Sequence, residues 1–546
     1  MSAISDQESF DSRKSLANDQ HTPTRTPSAN VSPKACWKYL RTRLSTLLAI
    51  PAKAKNKKNK TLNPYEAIKA MNRHQWNLFS HGFLAWTVDS MDFFCVSVCV
   101  SDIAKDLNTG VQNITWGITL VLMLRSIGAV IFGYCGDRWG RKWPLCVCYF
   151  LFVVLEIGTG FVTNLSQFLA IRSLFGIAMG GCYGLAAATA LEDAPQVSRG
   201  FLSGIFLPGY SLGYVLATAF FRAFETTSFT WKALFWFSAG PPFLLLLWRL
   251  TFGELDYFKE MQEAKRSHNL RVKQVKESRE LGEQTANDDE GLTEITFSSE
   301  LKETFRTEWP LMIYLVLMLS GTNFMSHGSQ DLFPTMLKKQ AMLSRNALTI
   351  TNVVVNLGGC VGGLFWGQIS EFLGRRMTVL CCAIWGGAFL YPTFFKHTEQ
   401  YIIPCGFLLQ FAVMGAWGVI PVHLTELTSR SALRTMISGT AYQLGNLASS
   451  ASSTIEAKIG AQFPLPSLGP DAYDYGKVMC IFMGCVFGYL LIIMFFGPER
   501  FHTSIKTEFM LEEEDVDSGY EIDRILSPVP RPQFDEKIWV THTERK

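Results

Sequence analysis

Apolar residues gather into long runs along this chain, and charged and small polar residues into the stretches between them. Crossing about 30 Å of hydrocarbon takes roughly 20 residues of helix. By that measure twelve runs qualify, at approximately 76–101, 112–136, 143–163, 167–190, 200–222, 231–252, 310–336, 347–370, 377–395, 401–424, 435–457 and 477–497. The pattern predicts an all-α polytopic membrane protein with twelve transmembrane helices. It also divides the chain. Residues 1–74 form a basic, largely disordered tail, 75–253 a six-helix bundle, 254–308 a central loop, 309–498 a second six-helix bundle and 499–546 a second tail.

Composition sharpens this picture. Charged residues make up 18% of the chain and hydrophobic ones 48%, where soluble proteins carry about a quarter of their residues as charges. The net charge of +3 says little; its segregation into tails and central loop says more. Residues 1–63 are rich in Ser, Thr, Pro, Asn and Lys, a composition that buries too little apolar surface to fold alone. No apolar core follows the first residues, so a signal peptide is not expected. The 13 cysteines lie mostly in or beside apolar runs without metal-ligand spacing, which predicts small buried packers. No nucleophile–base pair stands out. Catalytic, cofactor-binding and metal-ligating residues are therefore not expected, nor is a nucleic-acid partner.

Lys/Arg clusters stay on the cytoplasmic side of a membrane. Here they fall in the first tail, at Arg138, Arg141 and Lys142, at Arg199, in the central loop, at Arg375/Arg376 and at Arg430/Arg434. The alternate loops carry few, Lys338, Lys339 and Arg345 being the main exception. Both termini are thus expected in the cytoplasm. The sequons at Asn113 and Asn164 would face outward but hug the membrane, and are expected to be unmodified.

The halves repeat. Gly133-Tyr-Cys-Gly136-Asp137-Arg138-Trp-Gly140-Arg141-Lys142 follows span 2, and Gly367-Gln-Ile-Ser370-Glu371-Phe-Leu-Gly374-Arg375-Arg376 follows span 8. Their offset is 234 residues (367 − 133), and the same offset takes Gly181 to Gly415, Gly184 to Gly418 and Glu192 to Glu426. Parallel repeats of six helices imply two bundles about an axis along the membrane normal, with the substrate path between them. In the loop, glycines permit close helix approach and a tight turn. Asp137 is placed to pair with an arginine or a helix N-terminus. The loop and its degenerate copy resemble the signature of the major facilitator superfamily. The resemblance covers about residues 75–500, and it implies a conformational role for Gly133, Gly136, Asp137, Arg138, Gly140, Arg141, Lys142, Glu371, Gly374 and Arg375. Gly204-x-x-x-Pro208-Gly209-x-x-x-Gly213 in span 5 reads as small residues for packing.

Ionisable groups inside a membrane are costly and mark functional candidates. Asp89 and Asp92 stand three apart on one helix face. Proton transfer and an ion-paired network between bundles are both open to them. Arg125 lies eight residues before Gly133, about 12 Å inward of the loop at 1.5 Å per residue. It either pairs with those carboxylates or grips a substrate anion bidentately. Glu156 and His81 stand alone and read as structural. Span 7 is the richest: Asn323, His327, Asp331 and Thr335 recur every four residues, with Ser326, Ser329 and Gln330 beside them. So many polar groups cannot face lipid, so the stripe faces a cavity or lines a structural seam. An imidazole one turn from a carboxylate suits a proton relay.

This stretch is similar to the span 7 signature of the fungal Jen family of carboxylate–proton symporters, matching at Asn323, Ser326, His327, Ser329, Gln330, Asp331 and Thr335. The resemblance implies that His327, Asp331 and the span 2 arginine, Arg125, govern transport and affinity, and that Gln443 on span 11 governs specificity. It also implies a specificity residue on span 5, in the neighbourhood of Tyr210 to Leu212. The expected function is proton-coupled uptake of short carboxylates (lactate, pyruvate, acetate, with succinate and malate further candidates) at the plasma membrane. A sialate or phosphate symporter and a non-transporting nutrient sensor are the alternatives. The partners are a carboxylate, a proton and the bilayer, with ubiquitin-ligase and arrestin regulation through the tails, including the acidic stretch 511–527. His327 lies roughly 25 Å from the inner end of span 7, nearer the outside than Arg125, so the two are expected to act in sequence.

Overall fold

The computed structural model describes a helical stretch within residues 37–47 and then residues 64–500, apart from 225–226, 228, 282–293, 397, 429–432, 461 and 466–472. The lysine-rich stretch 53–60 of the first tail and the acidic segment 511–527 lie outside the described residues. The membrane frame comprises α1 (Arg73–Asp106), α2 (Val111–Trp139), α3 (Lys142–Thr159) and α4 (Leu165–Leu191). Next come α5 (Gln196–Phe206 and Gly209–Phe224) and α6 (Thr230–Ser238 and Gly240–Leu250). The second half comprises α7 (Trp309–Gln330 and Phe333–Lys339), α8 (Arg345–Leu373), α9 (Arg375–Phe395) and α10 (Glu399–Leu427). It closes with α11 (Arg434–Ser449 and Ser452–Gly460) and α12 (Tyr475–Phe496).

Eleven of these are long and apolar enough to cross a membrane; α11 is the exception. Its Thr435, Gln443, Asn446, Ser449 and Ser452 are buried, because it packs against α7, α2 and α4. A helix enclosed by other helices needs no lipid-compatible surface, so the twelfth crossing is recognised by its place rather than its hydropathy.

The repeat is visible in the packing. α2 lies on α4 and α8 on α10; across the bundles α11 meets α2 and α4, and α5 meets α8 and α10. The span 5 glycines serve contact: a Cβ on Gly204 would strike the α8 backbone at Gly363, and one on Gly213 the α1 backbone at Thr87. The α5 helix is interrupted at Leu207–Pro208, since proline has no N–H for the Gly204 carbonyl.

Parts of the expected tail and loop are helical. Within 37–47, Tyr39 Oη donates to the Phe496 carbonyl at 2.9 Å and Arg43 Nη1 to the Gly497 carbonyl at 3.0 Å, so this piece is ordered by docking on the end of α12. The central segment forms helices Asp256–Glu280 and Phe297–Thr307, joined by a Lys265–Glu300 ion pair.

Candidate functional site

The repeated loops turn where α2 and α8 end, at Gly140 (φ 95°) and Gly374 (φ 83°), in backbone that a side chain would strain. Just before the first turn, Asp137 accepts the backbone N–H of Thr435 at 3.1 Å and of Met436 at 2.8 Å, the first turn of α11 in the other bundle. Gly133 and Gly136 let α2 approach, since a Cβ on either would strike Met436 or Leu185. Arg141 pairs with Asp137 at 3.2 Å and Glu192 at 3.1 Å, and Arg434 reaches Glu192 at 3.3 Å. Burial works against the Arg141 charge, but Glu192 and Asp137 outweigh it and raise its pKa. Lys142 is tied through its N–H to Glu254, and Arg138 donates to Tyr134 Oη at 2.8 Å on an exposed face. In the second copy Arg375 pairs with Glu371 at 2.7 Å and Glu426 at 2.8 Å, and Glu371 lies against Gly200 near the start of α5. At this end, the basic end, carboxylates of each bundle thus face helix starts of the other.

Inward of that seal lies an aromatic floor drawn from both bundles. Tyr183 and Tyr442 stack with ring centroids 3.8 Å apart, Trp86 meets Tyr183 at 5.1 Å and Tyr210 at 5.6 Å, and Trp417 meets Tyr442 at 5.9 Å. Of this floor the sequence points only to the neighbourhood of Tyr210, through the span 5 resemblance; Trp86, Tyr183, Trp417 and Tyr442 look like any other aromatic residue in an apolar run.

Above the floor sits Arg125, buried on α2. Its guanidinium lies 4.8 Å over the Phe93 ring, and Asp89 stands off at 3.9 Å. Among the described residues its one hydrogen bond goes to the Met179 thioether at 2.9 Å. The fork is therefore largely unused. Gln443 is buried beside it: its backbone carbonyl accepts from Ser126, and its amide oxygen from Asn446 at 3.2 Å.

Asp92 is buried with neither carboxylate oxygen hydrogen-bonded. Behind it Arg172 pairs with Glu156 at 3.1 Å and Ser238 donates to Glu156 at 3.1 Å, so Glu156 does not stand alone as expected. His81 Nε2 lies 3.3 Å from the Leu245 carbonyl, and its ring packs against Tyr149 and Trp248. Asp89, Asp92 and Glu156 thus share the first bundle's core with two guanidiniums, Arg125 and Arg172.

The span 7 stripe divides. His327 Nδ1 lies 3.2 Å from both Asp331 oxygens, so an Nδ1–H is what the carboxylate accepts. Asp331 is exposed at the end opposite the basic one, and His327 is partly so. Ser326 accepts from Trp417 Nε1 at 2.5 Å. Ser329 and Gln330 instead bond Gln410 of α10 at 3.0 and 3.2 Å, and Asn323 turns back to the Leu319 carbonyl. Ser329 and Gln330 thus form a seam with α10 within the second bundle, while Asn323 is bonded within α7 itself. The helix also ends at Gln330 and restarts at Phe333, because Pro334 cannot donate to the Gln330 carbonyl and crowds it. Thr335 therefore does not continue the stripe on one unbroken helix.

One grouping of potential metal ligands, His74, Asp193 and Asp256, occurs among the described residues. Asp193 is already engaged: its oxygens accept the N–H groups of Asp256 and Tyr257 at 2.8 and 3.0 Å.

Comparison with known proteins agrees with this frame. Residues 70–508 match the family of sugar (and other) transporters. The chain is 40% identical over 501 residues to the carboxylic acid transporter protein homolog of Saccharomyces cerevisiae, covering 90% of this chain and 79% of that one. It is 25% identical over 402 residues to the sialic acid transporter NanX of Escherichia coli, covering 73% of this chain and 90% of that one. Among solved structures the proton:xylose symporter XylE superposes with a TM-score of 0.61 at 16% identity, over 79% of this chain and 98% of that one, a likeness of fold. With two six-helix repeats, a matching loop within each and this kinship, the chain belongs to the major facilitator superfamily, in the sugar (and other) transporter family and its Jen-like branch.

Proposed function

We propose that this protein is a proton-coupled symporter that imports short carboxylates by alternating access, with its basic end and both termini in the cytoplasm of a plasma-membrane protein. The observation that carries the reading is Arg125: a permanent cation buried at the meeting of the bundles, its hydrogen-bonding fork almost empty. A substrate carboxylate supplies the two oxygens this fork matches. Kinship with a carboxylic acid transporter homolog supports the same substrate class.

Charge explains the proton. A carboxylic acid with a pKa near 4 is an anion at mildly acidic pH. Driving that anion into a negative-inside cell costs about 2.3 kcal/mol per 100 mV. One proton moving with it cancels the charge. In the cluster of Asp89, Asp92 and Glu156 three carboxylates face two guanidiniums, Arg125 and Arg172, which leaves one carboxyl to hold a proton, and Asp92, without a hydrogen bond among the described residues, is the natural holder. His327 and Asp331, open at the far end, are placed to receive protons from outside. With the basic end sealed and Asp331 exposed at the other, this is, on our reading, the state that receives protons from outside. Gln443 tunes substrate fit beside Arg125, and the tails offer lysines for ubiquitin-ligase and arrestin control.

Competition between labelled lactate and labelled succinate for uptake at pH 5, with and without a protonophore, tests this. Uptake abolished by the protonophore supports the reading, and indifference to it removes proton coupling. Sialate or phosphate displacing the label where lactate and succinate do not would favour another anion symporter.

A further inference from the structure

Glu456 has no place in the scheme so far. It lies on the outer piece of α11, Ser452–Gly460, fully buried, and neither carboxylate oxygen has a hydrogen-bond partner among the described residues. That piece packs on α7 and α12. Asp331 lies 22 residues beyond the start of α7 (331 − 309) and Glu456 22 beyond the start of α11 (456 − 434). Both are therefore about 33 Å along parallel helices at 1.5 Å per residue. The outer piece of α11 that carries Glu456 packs on Trp309–Gln330 of α7, and Asp331 caps the end of that helix, so packing and depth bring the two carboxyls to the same part of the second bundle.

The other ionisable groups nearby do not neutralise Glu456. Tyr473, ahead of α12, faces it and packs on Tyr475 with ring centroids 4.4 Å apart. Asp474 is engaged by Gln340 and by the Lys477 N–H, and the Lys477 ammonium lies 3.9 Å over the Phe463 ring. Lys458, on the same helix, is exposed. The repeat gives no precedent either: the residue 234 earlier (456 − 222) is Arg222, exposed on α5. An ionised carboxylate buried without cation or donor is strongly disfavoured, and two neighbouring carboxylates do not readily ionise together.

We propose that Glu456 is a proton-carrying group of the transport cycle, exchanging one proton with Asp331 and, through it, with His327. This rests on the reading of the protein as a proton symporter. In the exchange an O–H bond breaks at the Glu456 carboxyl and another forms at Asp331, so the pair keeps its total charge. The proton reaches the pair from water at the exposed Asp331. Glu456 gives it a buried resting place while the bundles rearrange.

The test is uptake of labelled lactate or succinate, whichever the wild type takes up, between pH 5 and 7, with surface protein quantified. A single required proton changes apparent affinity by up to about tenfold per pH unit. Glu456→Gln, held neutral, is expected to flatten that dependence to within about twofold across the range, and Glu456→Asp to restore it. A Glu456→Gln profile as steep as the wild type overturns the proposal. Glu456→Met serves as a second neutral variant if Gln is retained inside the cell. Retention of both neutral variants while Asp reaches the surface assigns the carboxyl to folding and also overturns it. Wild-type uptake insensitive to a protonophore removes the symport reading itself, before any variant is compared.

Discussion

Arg125 stands between two demands. Its charge must be tolerated in a buried site, which Phe93 and a distant Asp89 achieve, and its fork must stay free for an anion. Lysine keeps the charge and loses the fork. Arg125→Lys is therefore expected to lower kcat/KM for carboxylate uptake at least about tenfold, or ~1.4 kcal/mol, at unchanged surface abundance. Arg125→Gln is expected to remove uptake. Further out, His327→Ala and Asp331→Ala each break the 3.2 Å pair and should raise the apparent KM while the protein still reaches the surface; wild-type uptake in both would end the relay role. Charge within an apolar run is what makes Arg125, Asp89 and the His327–Asp331 pair readable from sequence. Glu456 escapes that reading because it sits at the polar margin of span 11, where an acid looks like the start of a loop.

Helix continuity is less legible than helix existence. The twelve runs locate the helices within a few residues, yet they pass unbroken over Pro208 and Pro334, where a missing N–H ends one helical piece and starts another. The four-residue recurrence through Thr335 assumes a straight helix and fails at the second of these. The seam on Gln410 is equally invisible, since it depends on which residues of α10 face α7. Where α12 ends, Glu499 accepts the Arg375 N–H at 2.6 Å. Burial pushes its pKa up to about 7, against the pull of Arg376 and the backbone donors. The folded state then binds more protons than the unfolded one between the ordinary glutamate range and pH 7, so stability falls as pH rises through that window. The detergent-solubilised protein is expected to melt at a lower temperature at pH 7.5 than at pH 5. Glu499→Gln should shrink the difference, and an unchanged difference would assign it to other groups.

Over the whole molecule, duplication supplies the frame and its two seals, while the chemistry is divided unequally. Offset by 234, Asn323, His327 and Asp331 fall on Asp89, Phe93 and Ser97, so the first repeat keeps a polar entry but no His–Asp pair. The seal at the basic end depends on Asp137 accepting two N–H groups of α11. Asp137→Asn retains one acceptor oxygen and weakens the pairing with Arg141, a loss of ~1–3 kcal/mol of closed-state stability. A cysteine placed at Ala188, buried near the bundle contact, should then react faster with an impermeant thiol reagent in inverted vesicles; an unchanged rate would move the seal elsewhere. The central claim is that a carboxylate and a proton cross together. Purified protein in proteoliposomes, alkaline inside and acidic outside, measures this directly. The account predicts that labelled lactate or succinate accumulates above its outside concentration, with the interior acidifying in step, and that collapsing the pH gradient stops both. Accumulation indifferent to the gradient, or the absence of substrate exchange altogether, would contradict it.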